Sequence, residues 1–484
     1  MQTTIMKLGA RADRALKIRL IEPPAPSLHL WSYTRYPRLG LPIIGAALKA
    51  AGHDVRIYAR HLKQAQWDDI ETADLVGIST TTSTAPAAYA IADLLRARGV
   101  PVALGGSHVT FLTDEALEHA DYVGRGEGGD ALMLELIDAL AGRRDLDSIA
   151  GLSFVRSGLH VHNEARERCA DLDRVPVPDL TLIEGYDRAT VTPIMTSWGC
   201  PFACNFCSVT ATFGRKVRRR STDAVIDELL AKQPRYISFY DDNFAADKKA
   251  LKDLLRAMIE RGLALPWQAQ VRTDVARDPE LLDLMRRSGC HTLALGLESI
   301  NQATLDAFQK SQTVADVADA VDALHEYGIA VHGMFVMGAD TDTVQTVRET
   351  VAFARAHQID TLMLNVLTPA PGTVQFERMD AEGRIFDKSW RLYDGQHVVF
   401  TPLQMTPKEL QREVRAGYRR FFSSRRVVAR LARLRFHQLI VDSWLWWYAR
   451  SWYLDERNRA HIRKLRALSR EGRRAAVSQH DAAA

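Results

Sequence analysis

Three cysteines, Cys200, Cys204 and Cys207, lie within one eight-residue stretch with the spacing C-x3-C-x2-C. Thiolates this close on one tight loop can bind three corners of a cubane iron–sulfur cluster, and a complete set would need a fourth thiolate. No further cysteine lies nearby, so the motif predicts a [4Fe-4S] cluster with one iron left open. The competing interpretation is a zinc knuckle of three Cys and one His. It is disfavoured because the next histidine is His291, far outside finger spacing.

The motif directly follows an apolar segment, VTPIMTS, which is the first of six such segments between residues 191 and 400. Amphipathic helical patterns separate the six segments. Six strand–helix units predict a partial (β/α)6 barrel resembling a TIM barrel, with its active site at the carboxyl ends of the strands. The cysteines are expected at that end.

Residues 1–150 also alternate apolar strands with helical patterns, which predicts an α/β domain with a doubly wound parallel sheet. Ligands bind such sheets beyond the carboxyl ends of the strands. Glycines mark that edge at Gly105, Gly106 and residues 124–129. Residues 151–190 are predicted to form a connector, and residues 401–484 a helical C-terminal region.

The cysteine spacing resembles that of the radical S-adenosylmethionine (SAM) superfamily, and the resemblance extends to Phe206 before the last cysteine. In that family SAM chelates the open iron through its amino and carboxylate groups. One-electron reduction then cleaves SAM to a 5'-deoxyadenosyl radical, which abstracts hydrogen from unactivated carbon. The resemblance also implies a small electron donor such as flavodoxin or ferredoxin.

Polar residues at successive strand ends supply candidate SAM contacts under this resemblance. The family has a glycine-glycine-glutamate turn after its second strand, whereas this chain has Asp241 and Asp242, either of which is expected to bind the SAM ammonium. Gln270 and Arg272 end the third strand, and Arg272 is expected to pair with the SAM carboxylate. Glu298 ends the fourth strand and resembles the family's polar contact to SAM. The alternative for each is an ordinary cap or salt bridge.

A doubly wound domain upstream of a radical SAM barrel resembles the cobalamin-binding class of the superfamily. That class includes C-methyltransferases of tetrapyrroles, hopanoids and antibiotics, and the anaerobic cyclase of chlorophyll synthesis. The local marks are STTTS from Ser79, GGSH from Gly105 and GRGEG from Gly124, and the residues expected to contact cobalamin are Ser79, Gly105, Gly106, Gly126 and Glu127. The sequence lacks the Asp-x-His-x-x-Gly signature that supplies a histidine to cobalt. The alternative is therefore a domain that has the same fold but does not bind cobalamin.

The C-terminal region is basic and aromatic. Residues 425–474 carry 14 Arg/Lys against four Asp/Glu, and four of the nine tryptophans fall in WLWWYARSW. One interpretation is an interfacial helix at a membrane. The other is a helix packed on the barrel with solvated arginines. Nucleic-acid binding is not expected, because the rest of the chain has a net charge of −6.

The composition, 46% hydrophobic and 25% charged residues, is that of a globular protein. The sequence shows neither a spanning apolar run nor a signal peptide, so we predict a cytoplasmic protein, peripheral to the inner membrane face if the tail binds lipid.

These observations predict a radical SAM enzyme that uses cobalamin to C-methylate a bulky apolar small molecule, such as an isoprenoid lipid or a tetrapyrrole. The first alternative is a radical SAM enzyme of the same layout that catalyses cyclisation, carbon–carbon coupling or oxidation without methyl transfer. The second is a non-catalytic regulator that binds an iron–sulfur cluster or another metal. No residue is assigned a catalytic proton or hydrogen transfer.

Overall fold

The computed structural model describes residues 15–26, 37–59, 62–186, 191–432 and 436–483. Its first sheet contains five parallel strands in the spatial order β2-β1-β3-β4-β5. The strands are β1 (Lys17–Glu22), β2 (Asp54–Ala59), β3 (Leu75–Ser79), β4 (Val102–Gly105) and β5 (Tyr122–Gly124). This is the order of a doubly wound, flavodoxin-like sheet, whose ligand edge is the carboxyl end of the strands. The predicted N-terminal fold is confirmed.

Helices cover both faces of this sheet. They are α1 (Gly40–Ala50), α2 (Gln64–Ile70), α3 (Ala85–Ala97), α4 (Ser107–Phe111), α5 (Thr113–His119) and α6 (Gly129–Leu140). The apolar sides of α1 and α6 form one buried cluster with the sheet, and those of α2, α3 and α5 form another. The sheet is buried on both sides, which explains its nearly continuous apolar strands.

Two antiparallel strands, β6 (Leu152–Arg156) and β7 (Leu159–His162), extend the sheet beyond β5. The chain then crosses to the opposite edge, where Ile183 forms a bridge with Ile57 of β2. The segment at 163–183 is therefore a strap that joins the two edges of the first sheet.

The second sheet has six parallel strands in the order β15-β14-β13-β12-β11-β8. They are β8 (Thr192–Ile194), β11 (Ile237–Phe239), β12 (Trp267–Val271), β13 (Cys290–Glu298), β14 (Ala330–Met337) and β15 (Thr361–Val366). The outer strands β8 and β15 are not paired with each other, so the barrel is partial, as predicted. A short antiparallel hairpin, β9 (Ser197–Trp198) and β10 (Arg218–Arg219), projects from the end of β8.

The barrel helices begin at capping side chains and bury one face, except for the helix at Ser208–Phe213, which has neither a capping side chain nor a buried residue. They are α7 (Ser208–Phe213), α8 (Thr222–Lys232), α9 (Lys248–Glu260), α10 (Pro279–Arg287), α11 (Gln302–Ala307), α12 (Val314–Glu326), α13 (Val344–Ala356) and α14 (Val374–Ala381). In α9, Asp247 caps the first turn, and Leu251, Leu254, Leu255 and Met258 face the core with helical spacing. Such packing fixes the strand ends that carry the site.

The C-terminal region is helical, as predicted, and consists of α15 (Pro407–Phe421), α16 (Ser424–Ala432), α17 (Phe436–Ser451) and α18 (Glu456–Ala483). Helix α15 is anchored on β15, because the Tyr418 hydroxyl donates to the Leu364 carbonyl and accepts from its amide. Within the described ranges, none of the helices combines the length and apolar composition that crossing a bilayer requires.

Contacts outside the sheets join the first domain to the barrel. The Trp390 indole donates to both oxygens of Glu115, which also accepts from the Tyr89 hydroxyl. The turn after β15 packs on α4, since Gly372 lies so close to the Phe111 ring that a Cβ would be 2.4 Å from it. Both contacts hold the first domain directly against the barrel.

Candidate active site between the two domains

The cysteine loop is the connection between the two strands of the hairpin. Its base is closed by the Cys200 amide, which donates to the Gly214 carbonyl at 3.3 Å, and by the pairing of Trp198 with Arg218. Gly199 has a φ of +91°, and a Cβ there would lie 2.6 Å from the Lys216 carbonyl. Only glycine allows the two sides of the loop to approach so closely.

The three cysteines on this loop are partly buried and free of disulfides. In the part of the chain that the structure describes, no three His, Cys, Asp or Glu side chains converge as ligands of one metal ion do. A cubane requires no such convergence, because each thiolate binds a different iron. Three thiols on one glycine-closed loop at the barrel mouth therefore fit the predicted cluster.

Aromatic and cationic side chains support the loop from behind. Phe206 packs on Phe308 with ring centroids 4.7 Å apart, so the aromatic residue noted in the motif anchors the loop to the barrel. The Arg272 guanidinium stacks on Phe202 at 3.6 Å and lies 3.9 Å from the Cys204 sulfur. Arg272 also donates to the Lys310 carbonyl. The structure thus places Arg272 against the cysteine loop itself.

Asp241 and Asp242 are neighbours with different surroundings. Asp241 is buried and accepts from the Thr196 amide and hydroxyl and from the Ser197 hydroxyl. It therefore holds the chain between β8 and the hairpin. Asp242 instead faces the space between the domains, and burial together with Asp241 raises its pKa to about 6. Of the two, Asp242 keeps a carboxylate available for a ligand.

The other two predicted SAM contacts are tied to neighbouring side chains. Gln270 is exposed and donates to the Asp242 carbonyl at 3.2 Å, which links β12 to the turn after β11. Glu298 is buried with a φ of +60° and forms an ion pair of 2.6 Å with Lys310. Strained backbone of this kind is concentrated at functional sites. Lys310 carried no motif and was missed by the sequence analysis.

A cavity of about 490 Å³ lies between the carboxyl edge of the first sheet and the cysteine loop. All five residues predicted to contact cobalamin line it: Ser79, Gly105, Gly106, Gly126 and Glu127. From the barrel side it is closed by Met195, Trp198, Asp242 and residues of α7. The sequence predicted the first wall from its glycines. It could not show the second wall, which depends on how the two domains meet.

Several glycines expose main chain along the first wall. Gly106 has a φ of +108°, and a Cβ there would lie 2.2 Å from the Thr80 carbonyl. Gly105, Gly106, Gly124 and Gly126 line this wall together with the apolar side chains of Leu132 and Met133, so a broad and partly apolar ligand can approach the backbone closely there. The residues present therefore fit a corrin, and none of the described residues that line the cavity is a histidine.

The comparisons with known proteins agree with this architecture. The radical SAM superfamily profile matches residues 194–354, and the B12 binding domain profile matches residues 32–134. An uncharacterized methyltransferase of Pyrococcus horikoshii is 31% identical over 84% of this chain and 93% of its own length. The anaerobic magnesium-protoporphyrin IX monomethyl ester cyclase of Cereibacter sphaeroides is 30% identical over 80% of this chain and 67% of its own.

Among solved structures, the radical SAM methyltransferase TsrM from Kitasatospora setae, with cobalamin and a [4Fe-4S] cluster bound, superimposes with a TM-score of 0.62. The two sequences are 19% identical, and the match covers 82% of this chain and 81% of TsrM, so it supports the fold. At the level of the family, the matches confirm the predicted enzyme class and its cofactors, the [4Fe-4S] cluster, SAM and cobalamin. The chain belongs to the radical SAM enzymes that carry an N-terminal B12-binding domain.

Proposed function

We propose that this enzyme is a cobalamin-dependent C-methyltransferase. The observation that carries the proposal is the glycine-walled cavity, which faces the cysteine loop across the domain boundary. A corrin in this cavity would lie beside the cluster site, with one wall from each domain.

Each part of the site has a proposed role. Cys200, Cys204 and Cys207 hold the cluster, Asp242 binds the SAM ammonium, and Arg272 positions the cysteine loop. The cluster and cobalamin, when bound, supply the electron that cleaves SAM and the methyl group that is transferred. Gln270 and the Glu298–Lys310 pair keep the neighbouring strand ends in register. Ser79, Gly105, Gly106 and Gly126 line the corrin face.

The proposed substrate is a bulky apolar small molecule. The Cereibacter relative is named for a tetrapyrrole, magnesium-protoporphyrin IX monomethyl ester, which is a substrate of this size. That relative is a cyclase, so cyclisation by the same layout is the second candidate function. A small redox protein such as flavodoxin or ferredoxin is the proposed electron donor.

Anaerobically reconstituted protein tests these assignments. We expect iron and sulfide, retention of cobalamin, release of 5'-deoxyadenosine from SAM under reduction, and transfer of a deuterated methyl group from SAM to a metabolite that accumulates when the gene is deleted. Cys204→Ala should lose the cluster, whereas Cys290→Ala, altered at a buried thiol outside the motif, should keep it. A product that gains no methyl group would favour the cyclase. Protein that binds zinc without iron, and never cleaves SAM, would be a regulator instead.

We also propose that the C-terminal helices contact the cytoplasmic face of a membrane. Ile440 and Trp447, two turns apart on α17, are 70% and 44% exposed, and Val428 of α16 is 62% exposed. Arg425 of α16 and Arg450 of α17 are also exposed, and each is three residues from Val428 or Trp447, so it lies on a neighbouring part of the same helix surface. Apolar and cationic groups presented together suit an anionic lipid surface. The opposite side of α17 packs in the core through Leu445, Tyr448 and Ala449.

Vesicle sedimentation tests this contact. The double variant Ile440→Ser/Trp447→Ser should pellet less with phosphatidylserine-containing vesicles than the unmodified protein. Leu159→Ser is the matched control, because Leu159 is 71% exposed but lies on β7 of the first sheet. Removal of the whole tail is a poorer test, since α17 contributes buried core residues. Equal sedimentation of all three proteins would contradict the proposal.

A further inference from the structure

Glu127 and Arg218 form a buried ion pair across the domain boundary. Both guanidinium nitrogens of Arg218 donate to the two oxygens of Glu127, each at 2.6 Å. The side chains are 5% and 3% exposed. A second arginine, Arg168, lies 3.7 Å from Glu127 but is half exposed. The pair therefore has the planar, two-bond geometry in which an arginine fixes direction as well as distance.

The two residues sit at the bases of the two walls of the cavity. Glu127 lies between Gly126 and Gly128, which have φ values of +74° and +78° in the turn after β5. Arg218 is the first residue of β10, beside Trp198, where the cysteine loop closes. It also donates to the carbonyls of Phe213, at the end of α7, and Cys169, in the strap. One guanidinium thus joins the glycine turn, the cysteine loop and the strap.

We propose that the Glu127–Arg218 pair is a positioning clamp that sets the distance between the cobalamin-binding turn and the cluster loop. This inference rests on the proposed function and changes the role of Glu127 from a cofactor contact to a positioning residue. A turn flanked by two left-handed glycines has little stiffness of its own. The clamp supplies that stiffness from the other domain.

Burial of the ion pair makes its separation unfavourable. If the two walls moved apart, a buried and doubly hydrogen-bonded ion pair would be broken, which is costly. The cost favours the arrangement in which the corrin face and the cysteine loop are aligned. A lysine at position 218 would keep the charge but could not make the paired, planar bonds. Arg218→Lys therefore tests whether the paired bonds, and not only the positive charge, are needed to align the two walls.

The chain contains a matched control for this variant. Arg220 pairs with Glu228, with side chains 5% and 1% exposed, and that pair lies wholly within the barrel. Arg218→Lys and Arg220→Lys thus change equally buried pairs two residues apart. A second test, the double variant Glu127→Leu/Arg218→Met, removes both charges and restores apolar burial, so that folding is retained without the paired bonds.

Two measurements decide the matter. The first is made on protein loaded with its cluster. Arg218→Lys and the double variant should bind hydroxocobalamin at least about tenfold more weakly, a change of about 1.4 kcal/mol in binding free energy. Their iron and sulfide contents should be unchanged, and Arg220→Lys should bind hydroxocobalamin normally. In cobalamin-free protein, hydrogen exchange should rise together in residues 124–130 and 199–217 for Arg218→Lys and for the double variant, but not for Arg220→Lys.

Equal effects of Arg218→Lys and Arg220→Lys, or none from Arg218→Lys in either measurement, would overturn the clamp. If the unmodified protein binds no hydroxocobalamin, the proposed function fails, and hydrogen exchange alone decides whether the clamp exists. If hydrogen exchange rises in both segments of Arg218→Lys, the clamp is supported as a contact that holds the two domains in place. If it rises in one segment only, the clamp is contradicted.

Discussion

At the scale of single residues, adjacent side chains at one strand end have different tasks. Asp241 points back into the barrel and is satisfied by three donors, whereas Asp242 points into the cavity. The sequence alone could not assign different roles to Asp241 and Asp242, since both are acidic and follow the same strand. Their roles differ because the hydroxyls of Thr196 and Ser197, in the segment that follows β8, donate to Asp241 and not to Asp242.

Variants of the two aspartates should therefore behave differently. Asp242→Asn should weaken SAM binding about tenfold or more and leave the melting temperature nearly unchanged, because it removes only the charge facing the ammonium. Asp241→Asn should destabilise the fold by about 1–3 kcal/mol, because its amide would oppose a buried donor. Calorimetric titration with SAM and thermal unfolding measure the two effects. The assignment would be reversed if Asp241→Asn alone lost SAM binding.

His461 on α18 gives a prediction about acid stability. Its ring is 4% exposed, and neither nitrogen hydrogen-bonds to any described residue. Burial, with His397 nearby, lowers its pKa to about 3. Because the unfolded chain takes up the proton first, stability from this group is complete above pH 6.5 and is lost as the pH falls toward 3.

Between pH 7.5 and pH 5 we expect this histidine to reduce the free energy of unfolding by about 2 kcal/mol. His461→Phe should remove that part of the pH dependence, as measured by denaturant unfolding at both values. A matched change at His119, which is partly exposed and pairs with Asp93, should not remove it. Identical pH dependence in His461→Phe and the unmodified protein would contradict the prediction.

At the scale of elements, apolar periodicity was enough to predict the parallel strands and the helices between them, because each buries one face or both. The hairpin that carries the cysteines was not predicted. Its strands are two residues long, and they pair only because Gly199 allows the backbone to approach Lys216. Lys310 and Arg218 were missed for a related reason. Their partners are distant in sequence, and pairing is decided by where the barrel places the chain.

The turn after β15 gives a prediction at this scale. Gly372 has a φ of +82° and contacts the Phe111 ring of α4, whereas Gly383 has a φ of +66° with no atom within 4 Å of an added Cβ. Gly372→Ala and Gly383→Ala therefore impose comparable backbone strain, but only the first also disturbs domain packing. Gly372→Ala should lower the melting temperature more and loosen the contact between the domains, as seen by limited proteolysis. Equal effects would mean that backbone strain accounts for both.

At the scale of the whole molecule, both domains contribute to one cavity, so cofactor binding should stabilise them together. Hydroxocobalamin at a concentration 100 times its dissociation constant should stabilise the folded protein by about 2.7 kcal/mol. Differential scanning calorimetry should show a single transition that moves to higher temperature. A porphyrin, used as a control macrocycle that is not a corrin, should have a smaller effect. Stabilisation of an N-terminal transition alone would show that the barrel wall makes no contact with the corrin.

The strap has a consequence for how such enzymes can exchange parts. Because residues 163–183 run from one edge of the first sheet to the other, the boundary along the chain does not coincide with a boundary in space. A chimera joined just after α6 would leave behind the strands that finish the donor sheet and the segment that covers its far side. A junction after the strap transfers both intact. Chimeras between relatives should therefore fold mainly when the junction follows the strap. In such a chimera, Arg218 of the recipient barrel would pair with a glutamate supplied by the donor domain.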